Sequence, residues 1–400
     1  IYHTIRKLKK KENNNKKRIV LQRTISLHNS TTSHDNNNKD ERRTSKEEEN
    51  DAILCPSTIP EEHHDEYSSL PINKNQNHKT LNLMFLACED KAPYGPSTST
   101  ASLFLDLMCR AAQISSSSSD DDEETYLTIR MTIYQAKECD YPTSTQEWDT
   151  FNGIILPGSF STAYETNVKW IQHLQEVIKN EIFAKERKTW GICFGHQVYA
   201  HAFRTKENKG DGSNEDDGGG CAMKCPAGLQ LGHCSYNPTK EGIALFSPFV
   251  PSSPKEQQQQ QPQTNFDLLC SHGDMVSSLP SFAISLGSND AVPIQAAAYF
   301  SSSQDVTSFQ TTISSSSSDG DDNDERKLVL PHAITFQAHP EFATKNGYYD
   351  TYLGIVQKVK EEKGDTTSEQ VVVDAENRLD CIVEDSLNVT VAVGRILGWF

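Results

Sequence analysis

Short apolar runs alternate with amphipathic stretches from Leu81 onward. Leu81–Cys88 reads as a buried strand, and the Pro/Gly/Ser-rich stretch 93–98 as a loop. Over 101–112, Leu103, Phe104, Leu107, Met108 and Ala111 recur at three- and four-residue intervals, which predicts one face of a helix. Leu127–Ile133 alternates like a strand. The order then repeats. Gly153–Leu156 is a strand and Pro157-Gly158-Ser159 a turn, and Trp170, Ile171, Leu174, Val177 and Ile178 mark a helix. Thr189–Ile192 follows as a strand and His196–Phe203 as a helix. Alternating strand and helix predict an α/β fold: a mostly parallel sheet flanked by helices, with chemistry at the carboxyl ends of its strands.

Strands then crowd together, around 229–235, 266–270, 295–300 and 333–338, and predict a small strand-rich extension before helices at 348–362 and about 374–399. Ser, Asn, Gln and Asp runs interrupt this pattern. They divide the chain into a disordered basic and polar arm over 1–80, one α/β domain over 81–362, and a polar link with a C-terminal helix over 363–400. Polar inserts near 115–125, 206–220, 252–265 and 302–327 fall between elements, where extra length costs little closure entropy.

Composition agrees with a diluted core, since only 35% of the 400 residues are hydrophobic. The net charge of −17 argues against nucleic acid or an anionic membrane as a general partner. That charge is uneven: the first 33 residues hold nine Lys or Arg against Glu12 alone. Such an arm is either an organelle-targeting segment or an unstructured extension. No apolar run approaches a bilayer's thickness and no signal-peptide hydrophobic region opens the chain, so the expected location is cytoplasmic. Ten irregularly spaced Cys suggest free thiols in a reducing compartment. Asn29-Ser-Thr and Asn388-Val-Thr fit the glycosylation pattern and are read as chance matches.

Trp190-Gly-Ile-Cys-Phe-Gly-His-Gln197 carries the most chemistry, because it lies at a strand-to-helix junction. A nucleophile on so sharp a turn needs small neighbours, and Gly191 and Gly195 flank Cys193 on both sides. The following helix aims its positive end at the sulfur, and the Phe194 amide can face a developing oxyanion. A buried structural Cys is the alternative for this thiol alone. Far downstream, Phe336-Gln-Ala-His-Pro-Glu-Phe342 supplies a base and its orienting carboxylate, His339 and Glu341, two residues apart on one side of an extended strand. Alone, that tripeptide could be a charged surface turn; joined to Cys193 in this order, it makes a Cys-His-Glu triad.

Gly-Ile-Cys-Phe-Gly-His-Gln followed by His-Pro-Glu resembles the signature of the class I glutamine amidotransferase domain. The wording is most similar to the stand-alone branch near the amidotransferase part of GMP synthase, which includes γ-glutamyl peptidases. The resemblance covers about 81–360 with the inserts removed and implies a flavodoxin-like fold. Phe151–Ser159 is similar to the family's strand and glycine turn, which implies Gly158 and Ser159 beside Phe194 in the oxyanion hole. Gln197 matches the family's substrate-contacting Gln, and Ser271, His272, Gly273 and Asp274 its substrate-binding loop. By resemblance the substrate is a γ-glutamyl amide, glutamine or a γ-glutamyl peptide, hydrolysed or transferred through a thioester. No cofactor or metal is implied. A zinc site at Cys221, Cys225, His233 and Cys234 is disfavoured by spacing, and loosely placed free thiols are expected there. Two further readings stay open: a glutaminase subunit delivering ammonia to a separate synthetase, and a non-catalytic scaffold of this fold.

Overall fold

The structure is a computed structural model that describes residues 20–28, 77–116, 125–204, 219–250, 265–315, 328–344, 346–363 and 367–400. Its strands are β1 (Val20–Leu27), β2 (Asn77–Ala87), β3 (Thr125–Gln135), β4 (Gly153–Leu156), β5 (Thr189–Ile192) and β6 (Cys221–Lys224). They continue with β7 (Gln230–Pro238), β8 (Phe266–His272), β9 (Asp274–Ser278), β10 (Ala283–Ser288), β11 (Ala296–Tyr299) and β12 (Ala333–Phe336). The helices are α1 (Ser97–Ser116), α2 (Thr145–Trp148), α3 (Lys169–Val177), α4 (Phe194–His201) and α5 (Lys240–Phe246), then α6 (Ser303–Ser315), α7 (Leu353–Lys363), α8 (Thr367–Asn377) and α9 (Leu379–Ile396).

Ten strands form one sheet in the order β1-β3-β2-β4-β5-β12-β11-β10-β7-β8. The pairings from β1 through β12 are parallel, and those from β12 through β8 are antiparallel. The strand-rich extension is therefore continuous with the parallel sheet, while β6 and β9 pair separately. Period-two alternation divides the core between two faces. Leu81, Leu83, Phe85 and Ala87 of β2 pack with α1 and α9, whereas Met84 and Leu86 pack with α3 and α4. Every residue of β4, β5, β11 and β12 is buried, so the centre of the sheet is covered on both sides.

Three sequence expectations change. The arm over 1–80 contains β1, which pairs with β3 from Val20↔Tyr126 to Leu27↔Ile133. Ile25 packs on the core, and the following His28 stacks on Tyr134 at 4.4 Å and sits 3.1 Å from Asp140 Oδ1. The arm's remaining residues, 1–19 and 29–76, lie outside the described residues, as does Asn29. The stretch 302–327, read as a polar insert, begins with α6, because Phe309 and Val306 give its Ser/Thr/Gln-rich helix one buried edge. The other inserts fall largely on 117–124, 205–218 and 251–264, outside the described residues. The single C-terminal helix is two, α8 and α9, divided at Arg378. Among the described residues no helix is long and apolar enough to cross a membrane.

Candidate active site

Ile192 ends β5 opposite Phe336, the last residue of β12. Cys193 follows with φ 51° and ψ −104°, in the left-handed half of backbone space. For a residue with a Cβ, such a conformation costs about 1–3 kcal/mol and persists only where the surroundings enforce it. They do so here: the Cys193 amide donates to Phe336 O at 2.8 Å, and its carbonyl accepts from Gln197 N at 3.0 Å. The flanking glycines allow close packing. A Cβ on Gly195 would run into the Leu156 carbonyl, and one on Gly191 would lie 2.8 Å from Thr335 Cγ2. The helix α4 therefore starts hard against β4, directly after the buried Cys193.

His339 lies three residues beyond β12, and its amide donates to Leu269 O at 2.8 Å. The sequence places His339 and Glu341 along an extended strand; instead β12 stops at Phe336, and Glu341 sits in a single 3-10 turn, Pro340–Ala343. Pro340 cannot donate to a sheet ladder, and it opens this turn with its fixed φ. The two side chains still meet, His339 Nδ1 and Glu341 Oε1 being 2.7 Å apart in a fully buried pair. Phe342 stacks on the imidazole at 4.3 Å, within 8° of parallel. Burial opposes a charge on His339, but Glu341 and the neighbouring Cys193 outweigh it and raise the imidazole to about 10.

Gly158 joins the two halves. A carbon built on its Cα would lie 3.6 Å from Cys193 Cβ, 2.9 Å from His339 Cε1 and 3.2 Å from the Tyr94 hydroxyl. Sulfur, imidazole and the Gly158-Ser159 turn thus border one small space. Ser159 is buried, and its hydroxyl bonds to Glu89 rather than facing this space alone. Phe194 is fully buried at the head of α4.

The remaining expected contacts build the wall behind the sulfur. The Cys193 thiol points at Ser271 O, 3.9 Å away. Gln197 is buried and spends its amide on Asp274 O at 3.0 Å and Gln337 Oε1 at 3.3 Å, so it braces the strand junction from within. Asp274 accepts from the Tyr164 hydroxyl at 3.0 Å, and His272 Nδ1 lies 3.0 Å from Asp274 O. Burial lowers His272 to about 4, and its Nε2 has no hydrogen-bond partner. The expected loop is a sharp passage between sheets: Gly273 alone separates β8 from β9, with no atom within 4 Å of where its Cβ would be.

Two residues at the site went unseen in the sequence, Tyr94 and Glu89, both in the loop after β2. Tyr94 is buried between Phe160 and Phe342, with ring centroids at 4.9 and 6.2 Å. Burial and the nearby sulfur and carboxylates push its phenol upward. The only sequence signal was an aromatic within a Pro-Tyr-Gly-Pro turn at a strand's carboxyl end. One of the cysteines considered for zinc also differs from expectation, while Cys221 and Cys225 are free thiols. Cys234 is not a free thiol: it forms a disulfide with Cys270 across β7 and β8. Cys225 is buried with Met275 and Val292, and no group of three metal-ligating side chains occurs among the described residues.

No protein-family model matches the chain, and no curated protein matches it. Solved structures to which it is similar include a glutamine amidotransferase from Thermotoga maritima, at 14% identity, covering 80% of this chain and 99% of that one with a TM-score of 0.44. A glutamine amidotransferase from Methylobacillus flagellatus gives 13% identity, 80% and 96% coverage and a TM-score of 0.44. A GMP synthase subunit from Thermoplasma acidophilum gives 13% identity, 72% and 100% coverage and a TM-score of 0.36.

Proposed function

We propose that this protein hydrolyses or transfers γ-glutamyl amides through a γ-glutamyl thioester on Cys193. The observation that carries the reading is the meeting of Cys193, the His339–Glu341 pair and Gly158 around one space. A strained nucleophile, a base held in one tautomer by a carboxylate, and a glycine turn with backbone donors are what acyl transfer requires.

In this reading His339 already holds the proton beside Cys193, as its raised value requires, and the sulfur attacks as thiolate on the δ-carbonyl carbon of the substrate. The carbon–sulfur bond forms as the carbonyl π electrons move onto oxygen, where amides of the Gly158-Ser159 turn and of Phe194 receive them. Collapse of this intermediate breaks the carbon–nitrogen bond, and His339 gives its proton to the departing amine. Water, or an amine acceptor, then loses a proton to His339 and attacks the thioester. The new bond to carbon displaces sulfur, and the γ-glutamyl group leaves as the acid or as a new amide. Glu341 orients the imidazole throughout. Gln197, Ser271, His272, Gly273 and Asp274 form the wall on which the amino acid end of the donor would rest.

The wording around Cys193 favours a self-contained γ-glutamyl hydrolase over a glutaminase component of a separate synthetase. Incubation with glutathione and with glutamine distinguishes them. Release of the dipeptide from glutathione is the expected result. Turnover of glutamine alone, increased by a synthetase, would favour the glutaminase reading, and turnover of neither would leave a binding scaffold.

A further inference from the structure

Glu89 is buried just beyond β2, and neither of its oxygens belongs to the triad. Its Oε2 accepts from the Phe160 amide at 3.2 Å and the Ser159 hydroxyl at 3.3 Å. Its Oε1 accepts from the Asp90 amide at 3.0 Å, the Lys91 amide at 3.2 Å and Lys137 Nζ at 3.1 Å. Lys137, in the turn after β3, reaches Asp90 Oδ1 at 3.0 Å as well. One carboxylate thus ties together three strand ends: the loop after β2, the turn after β3, and the glycine turn after β4.

We infer that Glu89 is a positioning residue that holds the Gly158–Phe160 turn against the Cys193 sulfur, so that its amides face the oxyanion. This rests on the role given to that turn above. Five donors converge on Glu89, and only an acceptor with two oxygens can serve them all. Glutamine would turn an NH₂ group toward one set of donors, and aspartate would fall a methylene short. Gly158 faces His339, Tyr94 and Cys193 so closely that even a Cβ there would press on the imidazole. A small rotation of the turn would therefore displace donors whose value depends on fixed aim. Burial pushes the Glu89 carboxyl upward, but the Asp90 amide, Lys137 and the Phe160 amide prevail and hold it below the ordinary range, ionised as the clamp requires.

The test compares full-length Glu89→Gln and Glu89→Asp with the parent in three measurements. These are kcat and KM on the γ-glutamyl donor that the parent turns over, the rate of Cys193 alkylation by iodoacetamide, and amide hydrogen exchange over 158–161. Alkylation forms a carbon–sulfur bond and expels iodide without any oxyanion, so it reports the sulfur independently of the turn. The expected result for Glu89→Gln is a loss of kcat of about 10²-fold at nearly constant KM, with alkylation unchanged and exchange over 158–161 faster. Glu89→Asp keeps the charge and serves if the Gln variant fails to fold; it should show the same pattern more weakly. Equal losses of turnover and alkylation, or no change in kcat and exchange, would overturn the inference. If the parent turns over no γ-glutamyl amide, the proposed function falls by itself. Exchange then decides the clamp alone: faster exchange supports it and unchanged exchange overturns it.

Discussion

The Cys193 amide donates to the carbonyl of Phe336 at 2.8 Å, one step beyond the last pair of the β5–β12 ladder. The elbow and the base loop therefore leave neighbouring parallel strands at the same level. From there Cys193 turns into α4, and three more residues bring the chain to His339. Register in a buried parallel sheet is strongly specified, so two motifs 146 positions apart in the sequence are brought to one end of the sheet by pairing alone.

Gly158 has the least tolerance at the site. A methyl group there would press on His339 Cε1 from 2.9 Å, and the imidazole cannot retreat because Phe342 stacks on its face. Gly158→Ala should lower kcat/KM by about 10²-fold or more, as misplacement of about an ångström does. Overpacking of a buried site costs about 1–3 kcal/mol, so its melting temperature should fall only modestly beside the loss of activity. Steady-state kinetics beside a thermal melt checks this, and full activity in the variant would remove Gly158 from the site.

Glu341 sets the charge on His339. Burial alone would lower the imidazole, and the carboxylate is the largest influence against it. Glu341→Gln should lower turnover by about 10²- to 10⁴-fold. It should also lower the His339 titration, followed by NMR, from about 10. The sign for stability follows. A raised folded value contributes stability that is complete below about pH 6.5 and is lost as pH rises through about 10. The variant should lose part of that contribution at neutral pH and show a flatter alkaline limb in denaturation.

Other buried histidines act in the opposite direction. Burial lowers His196 to about 3 and His272 and His332 to about 4. The unfolded chain takes up these protons below about pH 6.5 and the folded chain does not, so stability should fall between pH 6.5 and 4. Each such histidine contributes up to about 1.4 kcal/mol per pH unit. Denaturation midpoints at pH 7, 6 and 5 check the slope. His332→Phe, whose ring would keep the edge-on contact with Phe183, should make it shallower.

Strands β4 and β5 were legible because all four residues of each are buried and apolar or small, and the glycines of the elbow stood out for the same sharp turn they now make. β1 was not, because its alternation lies within basic neighbours and its partner β3 is more than a hundred residues away. α6 was hidden by Ser, Thr and Gln, with two large apolar residues marking its inner edge. The Cys234–Cys270 bond depends on the register of β7 with β8, which spacing does not reveal. Glu89 looked like an ordinary acidic loop residue, since its role comes from a turn seventy residues later that folds over it.

The segment after α9 supports the same sheet from its other end, at the start of β4. The Trp399 ring fills the space that a Cβ on Gly153 would need, and its indole N–H donates to Asn152 O at 3.2 Å. Trp399→Ala should cost about 3–5 kcal/mol, the usual loss for a buried large aromatic. Equilibrium urea unfolding measures it, and a change near zero would mean that this contact does not hold β4 in place.

Rapid acid quenching of the protein during turnover of glutathione, followed by peptide mass spectrometry, tests the covalent step itself. The expected result is a γ-glutamyl adduct confined to the Cys193 peptide and absent from Cys193→Ser. A wild-type protein that turns over the substrate with Cys193 unmodified, or a Cys193→Ser variant that retains full activity, would contradict it.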